Sequence, residues 1–140
     1  MRGFLLLLVS VVALSGCSRH PTDAQLLAHF AAHRSEYEAL TRKFEAAGVW
    51  RFGDPVAPHF IEGYDSDLKS LGILHASVWL SSKLLLYHSM EAYSIKGVAY
   101  WPKQSRSPVV ASLDAVDKHR PDVYFRDIDE DWCLFLYVED

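Results

Sequence analysis

Two histidines stand one helical turn apart near the start of the chain. His29 and His33 have the i, i+4 spacing that places two imidazoles on one side of a helix. A glutamate after His29 would begin a zinc-protease motif, but Phe30 occupies that position. A zinc site also needs at least one further ligand. We therefore predict that His33 packs against the core with a single hydrogen bond. His29 and His33 stay the metal-ligand candidates of a chain for which we predict no metal and no cofactor.

A second pair of histidines falls on two neighbouring predicted strands. His75 and His88 have Ser77 and Ser89 close by in the sequence, and such a set can supply a nucleophile and its base. These residues carry the hypothesis of a small hydrolase. The chain has no Gly-x-Ser-x-Gly elbow and no phosphate-binding glycine loop. The simpler interpretation is that they are ordinary polar residues on the exposed face of a sheet.

The run from Asp127 to Asp131 imitates the start of a calcium loop. The sixth position of that loop needs Gly and the twelfth needs Glu, but Trp132 and Val138 stand there. We therefore predict a solvated hairpin turn. Together with Glu139 and Asp140 it is expected to form an acidic end that can meet a basic partner.

The start of the chain has the three parts of a secretory signal. Arg2 is followed by an apolar run over Phe4–Leu14, which is too short to span a bilayer, and by small residues. Leu14-Ser15-Gly16-Cys17 resembles the lipobox of bacterial lipoproteins. That resemblance implies cleavage before Cys17, a thioether-linked diacylglycerol on its sulfur and an acylated amine, and several acyl chains make membrane attachment durable.

The lipobox resemblance also implies a location in the cell envelope. Met1–Gly16 is the predicted signal peptide, and residues 17–22 are the predicted lipidated cysteine and short polar tether. Ser18 stands where enteric lipoproteins retained in the inner membrane carry Asp, so we expect attachment to the outer membrane, facing the periplasm. The expected partners are the membrane and either another envelope protein or the cell wall.

The composition and the cysteine count narrow the range of possible functions. The chain of 140 residues carries a net charge of −4 and has no basic cluster, which argues against nucleic-acid binding. Once Cys17 is used for lipid, Cys133 has no partner for a disulfide within the chain. Because Cys133 lies in an apolar segment, we predict that it is a buried, unreactive thiol.

The hydrophobic pattern predicts a single α+β domain over residues 23–140. A long helix from Asp23 to about Ala47 has an apolar stripe at Leu26, Phe30, His33, Tyr37, Leu40 and Phe44. Short helical turns are expected over Tyr64–Leu71 and a short strand over Val49–Phe52. Further strands are expected over Ile73–Leu80, from Leu84 to His88 or Met90, and over Ile95–Trp101, Val123–Ile128 and Trp132–Val138. The long helix would pack on an antiparallel sheet of about five strands.

Several segments of the domain also resemble a group of small proteobacterial lipoproteins. They are Pro21-Thr22-Asp23, Lys96-Gly97-Val98-Ala99-Tyr100, Ser112-Leu113-Asp114, and a Tyr-containing final strand that begins at Trp132. This resemblance supports the architecture, but it implies no activity and no catalytic residue.

The function expected from the sequence is therefore that of a non-catalytic binding or structural lipoprotein of the cell envelope. One form of this hypothesis is a periplasmic inhibitor or immunity protein, and the alternative is the envelope hydrolase centred on His75 and His88. Trp79, Tyr87, Tyr100 and Trp101 can share one surface of the predicted sheet. We expect them to belong mainly to the core; if exposed, they would indicate a protein or glycan contact.

Overall fold

The structure is a computed structural model that describes residues 20–53, 57–79, 83–102 and 106–140. The predicted signal peptide, Cys17 and the predicted turn at Ser81-Ser82 lie outside these residues. Three helices and six strands follow one another in the described chain: α1 (Asp23–Ala32), α2 (Arg34–Ala46), β1 (His59–Ile61), α3 (Asp65–Ser70), β2 (His75–Trp79), β3 (Lys83–Glu91), β4 (Ser94–Tyr100), β5 (Asp122–Asp127) and β6 (Trp132–Val138).

The six strands form one antiparallel sheet in the order β1-β2-β3-β4-β6-β5. This confirms an α+β fold, but the prediction of about five strands was wrong. The chain at Val49–Phe52 is not a strand, and β1 follows later, at His59–Ile61. A strand of three residues is too short to show the alternation by which strands are recognised in a sequence.

The predicted long N-terminal helix is in fact two helices that meet at His33. The backbone of His33, with φ −121° and ψ 20°, ends α1 and begins α2. A straight helix over the whole predicted range would be about 36 Å long, whereas strands of seven residues extend about 23 Å. The break divides this length into helices of 10 and 13 residues.

The apolar stripe of the predicted helix survives this break. Leu26, Phe30, Tyr37, Leu40 and Phe44 are all buried in the main core, whereas His33 is only half-buried. The start of α1 has a capping box, in which the Thr22 side chain accepts from the backbone N–H of Gln25. Gly48, with φ +70°, ends α2 in the left-handed conformation that glycine adopts readily.

All the helices cover the same face of the sheet. Their buried residues, among them Phe30, Tyr37 and Leu68, form one cluster with the sheet residues that point to that side, such as Leu86, Val98 and Leu134. The opposite face carries a separate apolar cluster. We call this opposite side the open face of the sheet.

Candidate functional site

The open face is apolar although no described helix packs on it. Its buried residues are Leu85, Tyr87, Ala99, Trp101, Phe125, Cys133 and Phe135, and half-buried Trp79, Ile95, Val123 and Tyr137 pack against them. Beside β5, the backbone of Pro108 and Val110 bonds to that of Phe125 and extends this edge of the sheet. The described helices leave the part of the open face built by β2, β3, β4 and β6 uncovered.

A groove runs across this part of the open face. It is lined by Trp79, Leu85, Tyr87, Ile95, Phe135 and Tyr137, and we call it the aromatic groove. The rings of Trp79 and Tyr137 lie edge to face, with centroids 6.4 Å apart, although they belong to strands that are not neighbours, so the two side chains meet across β3 and β4. The volume is about 160 Å³. Because an apolar cavity of about 150 Å³ accepts a benzene-sized molecule, the groove has room for one aromatic or branched aliphatic side chain.

One end of the aromatic groove has a positive charge. Lys83 is paired in register with Trp79, and its Nζ lies 4.0 Å from the ring centroid of Trp101. Partial burial lowers the pKa of Lys83. Within the described chain no carboxylate pairs with Lys83, so a partner that reaches this end can supply one.

The hydroxyl of Tyr87, in the lining of the groove, is already paired. The hydroxyls of Ser77 and Tyr87 lie 2.7 Å apart, and burial is the main cause that raises the pKa of Tyr87. Phe60, on the edge strand β1, is 58% exposed and contacts the rings of His75 and Tyr87. Phe60 therefore extends the apolar surface beyond the groove to the edge of the sheet.

The structure does not bring His75 and His88 together. His75 is exposed on the open face, whereas His88 points to the helices, where its Nε2 lies 2.6 Å from the Tyr37 hydroxyl. Burial, with a smaller contribution from His29, lowers the pKa of His88 to about 4. Because the sheet separates the two imidazoles, they cannot act on the same group of a substrate.

His29 and His33 do meet, with ring centroids 4.6 Å apart. His29 Nε2 donates to the carbonyl of Leu71 at 2.9 Å, and His33 Nδ1 contacts the Glu36 carboxylate at 3.4 Å. The hydrogen bond uses one nitrogen of His29, and within the described residues no group of three metal-binding side chains forms. The partners of these histidines are those of structural residues.

The predicted acidic end is divided between the two ends of the sheet. The turn at residues 128–131 precedes β6 while Glu139 and Asp140 follow it, so a strand about 20 Å long separates them. Asp129 Oδ1 accepts from the backbone N–H groups of Asp131 and Trp132, and Arg34 pairs with its other oxygen. This turn is a hairpin connection held by its own carboxylate, and the expectation of one continuous acidic surface was wrong.

Cys133 is fully buried and free, as predicted. Burial raises the pKa of its thiol to about 12, so the thiolate that reacts with oxidants and metals is not available near neutral pH. The predicted aromatic cluster is divided by the sheet. Tyr100 packs on the helix side against Trp50 and Trp132, whereas Trp79, Tyr87 and Trp101 lie on the open face.

A buried ionic network joins segments that the sequence analysis noted only as resemblance motifs. Asp23 is 1% exposed and Lys96 2% exposed, and Lys96 Nζ lies 2.7 Å from Asp23 Oδ1 and 2.6 Å from Asp114 Oδ1. Asp23 Oδ2 accepts from Arg126 and from the backbone N–H of Leu113. Burial is the largest effect on the Asp23 pKa and acts to raise it, but these hydrogen bonds outweigh it and the pKa is lowered.

His20 is a residue that the sequence analysis missed. Its side chain is 5% exposed, and its ring nitrogens bond to the hydroxyls of Ser89 and Ser94. Its backbone N–H donates to Glu91 at 2.8 Å. Of the segment predicted as a tether, His20–Thr22 therefore pack onto the domain. A lone histidine in a polar stretch gives no signal from which such docking can be predicted.

No family model, no curated protein and no solved structure matches this chain. In the described parts of the chain, every helix is too short or too polar to cross a membrane.

Proposed function

We propose that this protein is a non-catalytic lipoprotein of the bacterial cell envelope, attached to the membrane through Cys17, that binds another envelope protein through the aromatic groove. The lipobox at Leu14–Cys17 supports the attachment. The observation that carries the binding role is the groove itself, an apolar site on the face that the helices leave uncovered.

The chemistry of the groove defines the partner. An aromatic or branched aliphatic side chain would fill its volume, and burying such a side chain contributes about 1.5–3 kcal/mol. Lys83 at one end favours a carboxylate next to that side chain. The proposed ligand is therefore a protein segment with an apolar anchor residue beside Asp or Glu.

Membrane attachment compensates for the small size of this site. A single buried anchor residue gives weak binding on its own, since only a few kcal/mol remain after the cost of association. Two proteins held on the same membrane meet at a high effective concentration, which strengthens a weak contact without any new interaction. In this proposal, the small groove therefore depends on lipidation of Cys17 for its effective affinity.

Site-specific crosslinking tests the proposal. A photoreactive benzoylphenylalanine is placed at Tyr137, in the wall of the groove, and in a second variant at Leu74, which is exposed outside the groove. Both proteins are irradiated in intact cells, and crosslinked peptides are identified by mass spectrometry. We expect one abundant envelope partner at position 137 and not at 74, joined through a peptide with an apolar residue beside Asp or Glu.

Two variants complete the test. Trp79→Ala removes one wall of the groove and should abolish the crosslink from position 137, whereas Leu74→Ala should leave it unchanged. Equal crosslinking from both positions, or a crosslink that persists in Trp79→Ala, would contradict binding through the groove. The mass of the peptide that begins at Cys17, read from the same samples, reports whether lipid is attached.

A further inference from the structure

The docking of His20 fixes the point at which the folded domain begins. His20 is held by three neighbours on two strands: Ser89 and Glu91 near the end of β3, and Ser94 at the start of β4. Lys118 pairs with the second oxygen of Glu91 at 3.3 Å and so links the clamp to the loop before β5. We call these contacts the His20 clamp.

The clamp lies close in sequence to Cys17. Three peptide units separate the Cα atoms of Cys17 and His20. A chain of this length spans at most about 11 Å. A lipid on Cys17 therefore cannot be far from the clamp. The end of the sheet where β3 turns into β4 is the part of the domain that such a lipid would hold next to the membrane.

The same end of the sheet exposes apolar side chains. Met90 is 45% exposed and Tyr93, in the turn between β3 and β4, is 70% exposed. Tyr93 also accepts a backbone hydrogen bond from Glu139, so the C-terminus lies at this end too. Tyrosine is enriched at membrane interfaces because its ring is apolar and its hydroxyl is polar.

The charges around the hairpin are mixed. Lys118, His119 and Arg120 are exposed in the loop before β5, and Glu139 and Asp140 are exposed after β6. Because β5 begins where β6 ends, these groups lie at one end of the sheet. Glu91, Asp117 and Asp122 lie at the same end, so negative charge predominates there. We therefore expect the hairpin to approach zwitterionic headgroups more readily than anionic ones.

Together these observations give the domain an orientation. We infer that, in the lipidated protein, the β3–β4 hairpin rests on the membrane surface with Met90 and Tyr93 among the headgroups. This inference rests on the proposed lipidation of Cys17. The strands then point away from the membrane, the aromatic groove faces sideways, and the turn at residues 128–131 is the distal end.

Photocrosslinking to lipid tests the orientation. Benzoylphenylalanine is placed at Tyr93 and, as the matched control, at exposed Glu130 in the distal turn. The lipidated full-length protein is reconstituted in vesicles of phosphatidylethanolamine with a minority of phosphatidylglycerol, irradiated and analysed for lipid adducts by mass spectrometry. We expect a several-fold higher adduct yield at position 93 than at 130. Equal yields, or a higher yield at 130, would overturn the inference.

The role of the clamp is tested in the same assay. His20→Ala removes both ring contacts and leaves only the backbone hydrogen bond to Glu91, so the ratio of adducts at positions 93 and 130 should fall. Met90→Ser leaves the clamp intact. It should lower the ratio of adducts at positions 93 and 130 less than His20→Ala does. Thermal unfolding first establishes that the His20→Ala variant is folded. An unchanged ratio of adducts in this folded variant would contradict the role of the clamp.

The mass of the Cys17 peptide separates this inference from the proposed function. If Cys17 carries acyl chains and the two positions give equal yields, only the orientation fails. If Cys17 is unmodified, the proposed anchoring fails, and a maleimide-bearing phospholipid coupled to its thiol supplies the tether. The comparison of positions 93 and 130 then decides the orientation in the same way.

Discussion

At the scale of single residues, the most consequential feature is the buried pair of Asp23 and Lys96. It ties the first residue of α1 to the centre of the sheet, while Asp114 and Arg126 bring in the loop at residues 112–114 and β5. Asp114 also accepts the backbone N–H of Asp23. Segments that are about 70 to 100 positions apart in the chain are thereby held at one point.

Removing the carboxylate of Asp23 should be strongly destabilising. Asp23→Ala leaves the Lys96 ammonium without its buried carboxylate partner, and breaking a buried pair in this way costs about 3–5 kcal/mol. Asp114→Ala is the matched control, because the side chain of Asp114 is 41% exposed and its loss should cost only about 1 kcal/mol. Urea unfolding at neutral pH measures both. Equal losses of unfolding free energy in the two variants would show that the burial of Asp23 does not increase its contribution to stability.

His88 makes stability depend on pH. Its pKa in the folded protein is lowered to about 4, mainly by burial, whereas an unfolded histidine titrates near 6.5. Below about pH 6.5 the unfolded chain binds the proton and the folded one does not, so acid favours unfolding, by up to about 3 kcal/mol. The stability of the wild type should therefore fall between neutral pH and about pH 4.5.

The matched variants for this effect are His88→Gln and His75→Gln. The amide introduced by His88→Gln can still bond to the Tyr37 hydroxyl but does not titrate, so this variant should lose about 2 kcal/mol less than the wild type on acidification. His75→Gln removes an exposed imidazole and should follow the wild-type curve. Urea midpoints at the two pH values give the comparison. An identical pH dependence in His88→Gln and the wild type would rule out His88 as the source.

At the scale of secondary-structure elements, a bulge in β3 determines which residues face the helices. The register with β4 shifts between Tyr87 and Ser89, so His88 is the extra residue. As a result both His88 and Ser89 face the helix side, where they bond to Tyr37 and His20. Gly97 lies opposite Tyr87, where the strands come close together.

Gly97 is required at this position because any side chain would collide with the neighbouring strand. A Cβ at Gly97 would lie 2.0 Å from the carbonyl oxygen of Leu86 and 3.1 Å from the ring of Phe135. We expect Gly97→Ala to lower the free energy of unfolding by about 3 kcal/mol, and Ala99→Gly, on the same face of β4, by about 1 kcal/mol. Thermal unfolding of both variants checks this. A loss in Gly97→Ala no larger than that in Ala99→Gly would mean that the strands separate easily.

The same elements show how far a sequence can be interpreted. The strands from β2 to β6 were predicted within a few residues, because alternation and turn residues mark them locally, and the helix at Tyr64–Leu71 was confirmed as α3. The break at His33 was missed because the apolar stripe continues across it, so the local pattern does not mark it. The bulge was missed because it depends on pairing between two strands.

The candidate site was harder to predict than the fold. The pattern places Trp79 and Tyr87 on strands, but the groove forms only when a sheet twists and strands that are not neighbours bring Trp79 and Tyr137 together. His20 and the partners of Lys96 depend on contacts across the whole chain. Burial of Cys133 was predictable because its apolar neighbours are adjacent in sequence.

At the scale of the whole molecule, each face and one end of the sheet has a separate role. The helices and the ionic network stabilise one face, the other face carries the aromatic groove, and the β3–β4 end carries the His20 clamp. If Cys17 carries lipid as proposed, only a few residues separate that lipid from the clamp, and we expect the fold to set the distance between groove and membrane. Under this proposal, the partner presents its anchor residue close to the same membrane.

Lengthening the chain between lipid and clamp tests this coupling of position and function. An insertion of about ten Gly and Ser residues after Ser18 adds a flexible segment whose ends lie roughly 15–20 Å apart on average. The His20 clamp and the groove stay intact, so the protein should still be membrane-attached and should still crosslink to its partner from position 137 when both are in detergent. In vesicles, however, lipid adducts at position 93 should decrease several-fold. In intact cells, the crosslink from position 137 should weaken as well, because the groove is no longer held at a fixed distance from the membrane. If both signals were unchanged by the insertion, the hairpin would have to hold the membrane by its own affinity, and the short connection to Cys17 would have no role in placing the groove.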